Sequence, residues 1–198
     1  MTDFDAEELF HLGLKASEQG DKERSISFFK RAIELEPDPA SYYLLGAEYA
    51  EIGMMSRAAE CIQTAVDNDP ELWTAWFQLG LVYLATQETD KAKESFKPLA
   101  ALDDEAYLFH FAHGMNLLIE EDIEGSLTAL ARGLELNDDN PALNRDVQNI
   151  IDSLLENLRE LQGQTVDDAV IDEAPTMDEP DAGKGPTEHL LVSKYRNT

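Results

Sequence analysis

The chain has 198 residues, of which 43% are hydrophobic, so its length and composition suit one globular domain with a core of its own. Asp and Glu number 41 against 15 Lys and Arg, which gives a formal net charge of -26. Because DNA, RNA and anionic membranes are bound through cations, this balance argues against nucleic acids and membrane surfaces as partners.

Residues 6–38 are predicted to form a helical hairpin. Apolar residues recur at i, i+3 and i+4 spacing in both halves, as expected of two helices that pack along one seam. Gly20-Asp21 makes the turn. Thr2 or Asp5 stands where it can cap the first helix, and Asp21 stands where it can cap the second. Pro37 ends the unit. Leu9, Leu12 and Phe29 are predicted to fill the seam, and the small Gly13 and Ala32 allow the two helices to approach closely. The residues at the repeat positions are Leu9, Leu12, Gly13, Ala16, Ser25, Phe29 and Ala32.

Residues 39–72 and 73–106 repeat this pattern. The second unit turns at Gly53 and closes at Asp69-Pro70. In the third unit, Pro98 falls inside the second helix, where it removes one amide donor and is expected to kink or shorten that helix. The residues that hold the seam positions are Tyr42, Leu45, Gly46, Tyr49, Ala58, Ile62 and Ala65, and then Trp76, Leu79, Gly80, Tyr83, Ala92 and Phe96.

The spacing W-x2-L-G-x2-Y at Trp76 to Tyr83, followed by Ala92 and Phe96, resembles the tetratricopeptide repeat, a helix-turn-helix unit of about 34 residues. The resemblance covers residues 6–138. It implies an all-α fold, a right-handed superhelix (α-solenoid) of four stacked helical hairpins. The fourth repeat, residues 107–140, is degenerate but keeps the same step. Its matching residues are Gly114, Leu117, Ser126 and Leu130, with Gly133 in place of alanine.

Residues 141–161 are predicted to form a helix that caps the last repeat and completes a repeat domain of residues 1–161. Its apolar stripe comprises Leu143, Val147, Ile150, Ile151, Leu154, Leu155 and Leu158. Residues 162–198 are acidic and rich in Gly and Pro, which predicts a disordered tail. The tail ends in an apolar-basic peptide, EHLLVSKYRNT, and this peptide is either a docking motif or an idle terminus.

The sequence lacks the patterns typical of enzymes. It has no glycine-rich phosphate loop, no G-x-S-x-G and no C-x-x-C. His110 and His113 lie one helical turn apart, but by repeat register both point into the seam of the fourth hairpin, with no Cys or third His nearby. We therefore predict no catalytic residue, no metal and no cofactor.

The N-terminus and the single cysteine predict a cytoplasmic protein. MTDFDAEELF is acidic and has no apolar run of the kind that a secretory signal needs. A lone thiol, Cys61, forms no internal disulfide and fits a reducing compartment.

The resemblance also implies where a partner binds, because in this family the concave face is built from the second, fifth, ninth and twelfth positions of each first helix. Repeats that recognise the acidic C-termini of heat-shock chaperones hold a carboxylate there with Lys, Arg and Asn. Here apolar residues stand in those places, which argues against such a ligand. The predicted groove comprises Phe10, Leu14, Tyr43, Ala47, Phe77, Leu81, Leu84, Leu108, Phe111, Met115 and Leu118.

An aromatic residue at the fifth position of all four repeats predicts a groove for an apolar segment of a partner protein, since exposed apolar surface usually marks a binding site. The alternative is that these aromatic residues pack against the next repeat and are buried. The groove and the acidic chain are similar to the class II chaperones of type III secretion systems in bacteria, which implies a chaperone. A scaffold or adaptor is the other possibility, with the C-terminal peptide as a second docking element, or as occupant of the groove of the same chain or of a dimer mate.

Overall fold

The computed structural model of this chain describes residues 4–167, and it describes side chains for residues 4–160. This part of the chain contains nine α-helices, one 3₁₀ helix and no strand, so the predicted all-α class is confirmed. The helices are α1 Ala6–Glu18, α2 Lys22–Leu35, α3 Pro39–Glu51, α4 Met55–Asn68, α5 Trp73–Ala85, α6 Thr89–Phe96, the 3₁₀ helix Lys97–Ala101, α7 Tyr107–Ile119, α8 Ile123–Leu136 and α9 Pro141–Asp167.

The chain divides into two compact units, with the boundary between Asp103 and Asp104. The first unit contains the hairpins α1–α2, α3–α4 and α5–α6 together with the 3₁₀ helix. The second contains the hairpin α7–α8 and the helix α9. Helices α3, α5, α7 and α9 begin at the residues where the predicted repeats and the predicted capping helix begin.

Helices α1 and α2 begin at caps that the sequence predicts. The Asp5 carboxylate accepts a hydrogen bond from the Glu8 amide at 2.8 Å, and the Glu8 carboxylate accepts one from the Asp5 amide at 3.1 Å, which completes a capping box. Asp21 caps α2 by accepting from the Arg24 amide at 3.2 Å. Helix α4 has no such cap, because Met54 stands at its N-cap position.

One core runs through the three hairpins of the first unit. Helix α2 packs on α3, and α4 packs on α5, so each hairpin buries an apolar face of the next. The cluster comprises Phe29, Leu45, Tyr49, Ala58, Ile62, Val66, Ala75, Leu79 and Val82.

The third hairpin has a short second helix. Helix α6 ends at Phe96 after eight residues, and a 3₁₀ helix with Pro98 in its first turn follows it. The expected shortening is confirmed, because proline lacks the amide hydrogen that an α-helix needs and its ring crowds the preceding turn.

In the second unit, α7 and α8 form the fourth hairpin, and α9 packs against α8. Leu143, Val147 and Leu154 of the predicted stripe are buried, whereas Leu155 is exposed. Helix α9 continues to Asp167 rather than ending near Leu161, since a single glycine such as Gly163 costs a helix only about 1 kcal/mol. The rest of the predicted tail, including the apolar-basic peptide, lies outside the described residues.

The two histidines of α7 do not both face the seam. His110 Nε2 lies 2.7 Å from the Asp104 carbonyl oxygen, but His113 is exposed and its ring stacks on Phe109 with centroids 6.2 Å apart. The prediction of a seam position is therefore wrong for His113. Leu130 fills the space beside Gly114 in that seam.

No helix in the described part of the chain is both long enough and apolar enough to span a bilayer. No group of three or more His, Cys, Asp or Glu side chains suited to a metal ion occurs within residues 4–160.

Candidate functional site

In each hairpin of the first unit, a glycine of the first helix meets a large side chain of the second. Phe29 lies against Gly13, Ile62 against Gly46, and Phe96 against Gly80, each in the space that a Cβ on the glycine would occupy. This close approach sets the rotation of the first helix, because only the face that carries the glycine can turn toward the second helix. The face beside it carries the residues predicted for the groove.

Five predicted groove residues of the first unit are partly open to solvent. We call Phe10, Leu14, Tyr43, Ala47 and Leu81 the half-buried row. Phe10, Leu14 and Tyr43 each pack by one side on the core, and the Phe10 ring meets the Phe29 ring edge-on with centroids 6.0 Å apart. One side of each of these three side chains is therefore fixed by the core, and the other side is accessible to a ligand.

The other predicted groove residues are interior. Phe77 is 0% exposed, its ring centroid lies 5.8 Å from that of Phe96, and Leu84 is also buried. In the second unit, Phe111 is 0% exposed, and its ring lies against Gly133 of α8. The buried set is Phe77, Leu84, Leu108, Phe111, Met115 and Leu118.

This burial corrects the expectation that Phe77 and Phe111 would contact a partner. A side chain with no accessible surface cannot bury a partner's apolar group without a rearrangement of the core. The physical reason lies in the second helices, because Phe96 covers Phe77, and Gly133 makes room for the Phe111 ring in the seam. The candidate surface is thus confined to the half-buried row.

An ion pair holds the first two hairpins of the row together. Lys22, the first residue of α2, places its Nζ 3.1 Å from a carboxylate oxygen of Glu48 and 2.5 Å from one of Glu51, both in α3. Glu48 is buried. Burial alone lowers the pKa of Lys22, but its hydrogen bonds to Glu51 and Glu48 outweigh burial and raise that pKa. The charged pair therefore fixes α1–α2 against α3–α4.

Three carboxylates lie next to the row. The repeat register places Glu7 on the concave face, at the second position of the first repeat, whereas Glu18 and Glu51 escaped the sequence prediction. Glu7 and Glu18 of α1 and Glu51 of α3 are exposed. Each lies three or four residues from Phe10, Leu14 or Ala47, so it shares a helix face with the row. This i, i+3 and i, i+4 spacing is visible in the sequence and would have predicted that these carboxylates lie beside the row.

Cys61, the one cysteine of the chain, lies on α4 and is not part of the row. Cys61 is half-buried on α4, and burial raises the pKa of its thiol, which keeps the thiol protonated and weakly nucleophilic at neutral pH. The row itself consists of aromatic and aliphatic side chains, which exclude water from an apolar ligand.

Comparison with known proteins identifies the repeat. Residues 9–39, 39–72 and 74–104 each match the family model of the tetratricopeptide repeat. A curated relative, Protein bimA of Emericella nidulans, is 29% identical over 93 residues, which is 46% of this chain. The match spans only 12% of bimA.

Solved structures share the fold. A crystal structure of MamA superposes with a TM-score of 0.57 at 23% identity and covers 66% of this chain and 77% of MamA. The MamA fragment 41-end from Desulfovibrio magneticus RS-1 gives 0.56 at 17% identity, with 80% and 96% covered. YrrB, a TPR protein with an unusual peptide-binding site, gives 0.55 at 18% identity, with 68% and 70% covered. At these identities the likeness concerns the fold alone.

Proposed function

Residues 9–104 of this chain are tetratricopeptide repeats, and from that premise we propose that the protein binds an apolar segment of a partner protein on the half-buried row. Repeats of this kind are interaction modules. Structurally similar YrrB has a peptide-binding site, which supports a peptide ligand here as well.

The half-buried row carries the proposal. Its side chains are partly accessible, yet Phe10, Leu14 and Tyr43 are fixed on one side by the core, so little of their side-chain freedom is lost when a ligand covers them. Aromatic residues in such settings supply much of the binding energy of protein interfaces. An extended or helical segment fits the row if its apolar groups contact these five half-buried side chains.

A chaperone role follows if the bound segment is one that aggregates when uncovered. The net charge of -26 supports this role, since a strongly charged protein keeps a complex with an apolar client in solution. The similarity to class II secretion chaperones points the same way. We place the protein in the cytoplasm, where a chaperone of this kind keeps its client soluble before the client is transported.

A scaffold role is the second candidate. The division of the chain into two compact units favours it, because each unit presents a surface of its own. In this case the row holds one partner and the C-terminal peptide holds another, or the peptide occupies the row of a second copy in a homodimer.

A direct binding measurement tests the proposal. The probe is a fluorescent ten-residue peptide with leucine and phenylalanine anchors between serine and glycine flanks, and the readout is fluorescence anisotropy. Leu14→Asp places a carboxylate in the row and should weaken binding at least tenfold, because desolvating a charge costs more than the roughly 1–3 kcal/mol that an uncharged polar group costs. Leu35→Asp is the matched control, since Leu35 of α2 is 59% exposed and lies outside the row.

Phe10→Ser provides a milder second variant in case Leu14→Asp lowers helicity in circular dichroism. Equal affinity for wild type, Leu14→Asp and Phe10→Ser would show that the row is not the binding surface. Absence of binding to every apolar peptide would remove the proposed function.

A further inference from the structure

Charge is divided unequally between the helices of the first unit. Its first helices, α1, α3 and α5, contain a single cation, Lys15, and five glutamates: Glu7, Glu8, Glu18, Glu48 and Glu51. Its second helices contain seven cations, Lys22, Arg24, Lys30, Arg31, Arg57, Lys91 and Lys93, against six carboxylates, Glu23, Glu34, Glu60, Asp67, Asp90 and Glu94. The excess of negative charge therefore lies on the first helices, which carry the half-buried row.

The glutamates of α1 extend the row at both ends. Glu7, Phe10, Leu14 and Glu18 follow one another at spacings of three, four and four residues, which places all four on one face of the helix. Side chains at such spacing lie about 5–6 Å apart. Lys15 is about 100° further round the helix than Leu14, so it is off this face.

Helix α3 repeats the arrangement at its C-terminal end. Tyr43, Ala47 and Glu51 are four residues apart, so a carboxylate again follows the apolar positions by one turn. Lys22 lies between Glu48 and Glu51. Because one ammonium faces two carboxylates, a negative charge remains at this end of the row.

The carboxylates on α1 are available to a ligand. The Glu7 side chain is 86% exposed, and the exposed His11 ring lies beside it, with Nε2 4.0 Å from a Glu7 carboxylate oxygen. Glu18 is exposed at the end of the helix. Glu8 differs, because it is engaged in the capping box with Asp5.

Resting on the proposed function, we infer that the segment bound by the half-buried row carries lysine or arginine on both sides of its apolar anchors. Cationic flanks meet Glu7 at one end and Glu18 and Glu51 at the other, and their aliphatic stems can lie over the apolar residues. Acidic flanks face like charge at both ends and are rejected. The net charge of the chain attracts a basic segment from a distance and speeds its association.

Three fluorescent peptides with the same four leucine anchors test the inference. Their flanks are two lysines, two serines or two glutamates on each side, and affinity is measured by anisotropy at low and high NaCl. We expect the lysine-flanked peptide to bind about tenfold more tightly than the serine-flanked peptide at low salt, with the difference shrinking as salt screens the charges. The glutamate-flanked peptide should bind most weakly.

Failure of this inference differs from failure of the proposed function. If the serine-flanked peptide binds in a Leu14-dependent way and lysine flanks add nothing, the inferred charge preference is wrong and the apolar binding surface stands. If none of the three peptides binds, both are wrong.

Matched variants locate the effect. The double variant Glu7→Gln/Glu18→Gln should reduce the preference for lysine flanks about threefold to fivefold, as expected for two exposed charge pairs. Glu23→Gln/Glu34→Gln removes the same charge from exposed sites on α2 and should leave the preference unchanged. An equal loss in both variants would mean that only net charge matters, which contradicts the inference.

A peptide copy of residues 188–198 tests whether this chain supplies its own ligand. If that peptide binds more tightly than the lysine-flanked probe, the occupant of the row is this chain's own C-terminal segment, and the assignment to a separate partner is overturned.

Discussion

The ring of Phe96 in α6 lies against Gly80 of α5, in the space where a Cβ at position 80 would stand. The glycine allows the two helices to approach closely, and the ring then fills their seam. The pair is separated by sixteen residues. The same separation and the same contact recur in the other hairpins, between Gly13 and Phe29, Gly46 and Ile62, and Gly114 and Leu130.

Replacing Gly80 by alanine should destabilise the protein by about 1–3 kcal/mol, because the added methyl group overpacks the seam against Phe96. Helix propensity alone predicts the opposite sign, since alanine is favoured over glycine in a helix by about 1 kcal/mol. Thermal unfolding followed by circular dichroism decides between the two. A Phe96→Leu change in the alanine background should recover part of the loss, and an increase in the melting temperature for Gly80→Ala would contradict the packing that we describe.

Changing Phe77 or Phe111 to aspartate should unfold the hairpin that contains it, because each side chain is fully buried and an isolated carboxylate there lacks solvation. The same change at Phe10, which is half-buried, should retain most of the helical signal. Far-ultraviolet circular dichroism at 20 °C gives the comparison. Native helicity in Phe77→Asp would show that this ring is not part of the core.

Aspartate in place of Met54 should stabilise the protein by about 1 kcal/mol. Met54 is the N-cap of α4, has no side-chain cap bond, and is 42% exposed. Its backbone angles (φ -84°, ψ 58°) lie close to those of Asp21 and Asp122, which cap α2 and α8. Chemical denaturation of Met54→Asp against a Met54→Ala control measures the gain, and equal midpoints for the two variants would contradict it.

The Lys22 ion pair predicts a loss of stability at alkaline pH. Because the pKa of Lys22 is raised in the folded protein, its contribution is complete below its ordinary value of 10.5 and is lost as the pH rises through the folded value. Lys22→Met should cost about 3 kcal/mol at neutral pH, since it leaves Glu48 buried without its cation. Urea denaturation at pH 7 and above pH 10.5 tests both statements.

Either of two results would contradict the predicted role of the Lys22 ion pair. One is a difference between wild type and Lys22→Met that stays constant above pH 10.5. The other is a loss of the same size in Lys30→Met, the matched control at an exposed position of α2.

Much of the fold was predictable because its causes are local. The W-x2-L-G-x2-Y spacing, the Asp5 and Asp21 caps, and the break at Pro98 each act within a few residues, and the structure contains all of them. The end of α9 was not predictable, because a single glycine such as Gly163 is a weak stop signal when the residues around it favour a helix.

The candidate site was only half predictable because burial depends on distant neighbours. Phe10 and Phe77 hold the same position in their repeats, yet Phe10 is half-buried and Phe77 is sealed in the interior. Repeat register specifies the face of a helix but not the depth at which a side chain lies. For Phe111, Gly133 decides the depth, whereas in the sequence alone this glycine is only a departure from the family pattern.

The recurring contact between a glycine and a bulky side chain sixteen positions later offers a way to detect eroded copies of this unit in other genomes. Residues 107–140 lie beyond the matched segments, which end at residue 104, yet they keep the contact between Gly114 and Leu130. A search that scores this single pairing at intervals of about 34 residues should recover ancient duplications whose aromatic signature has been lost through mutation.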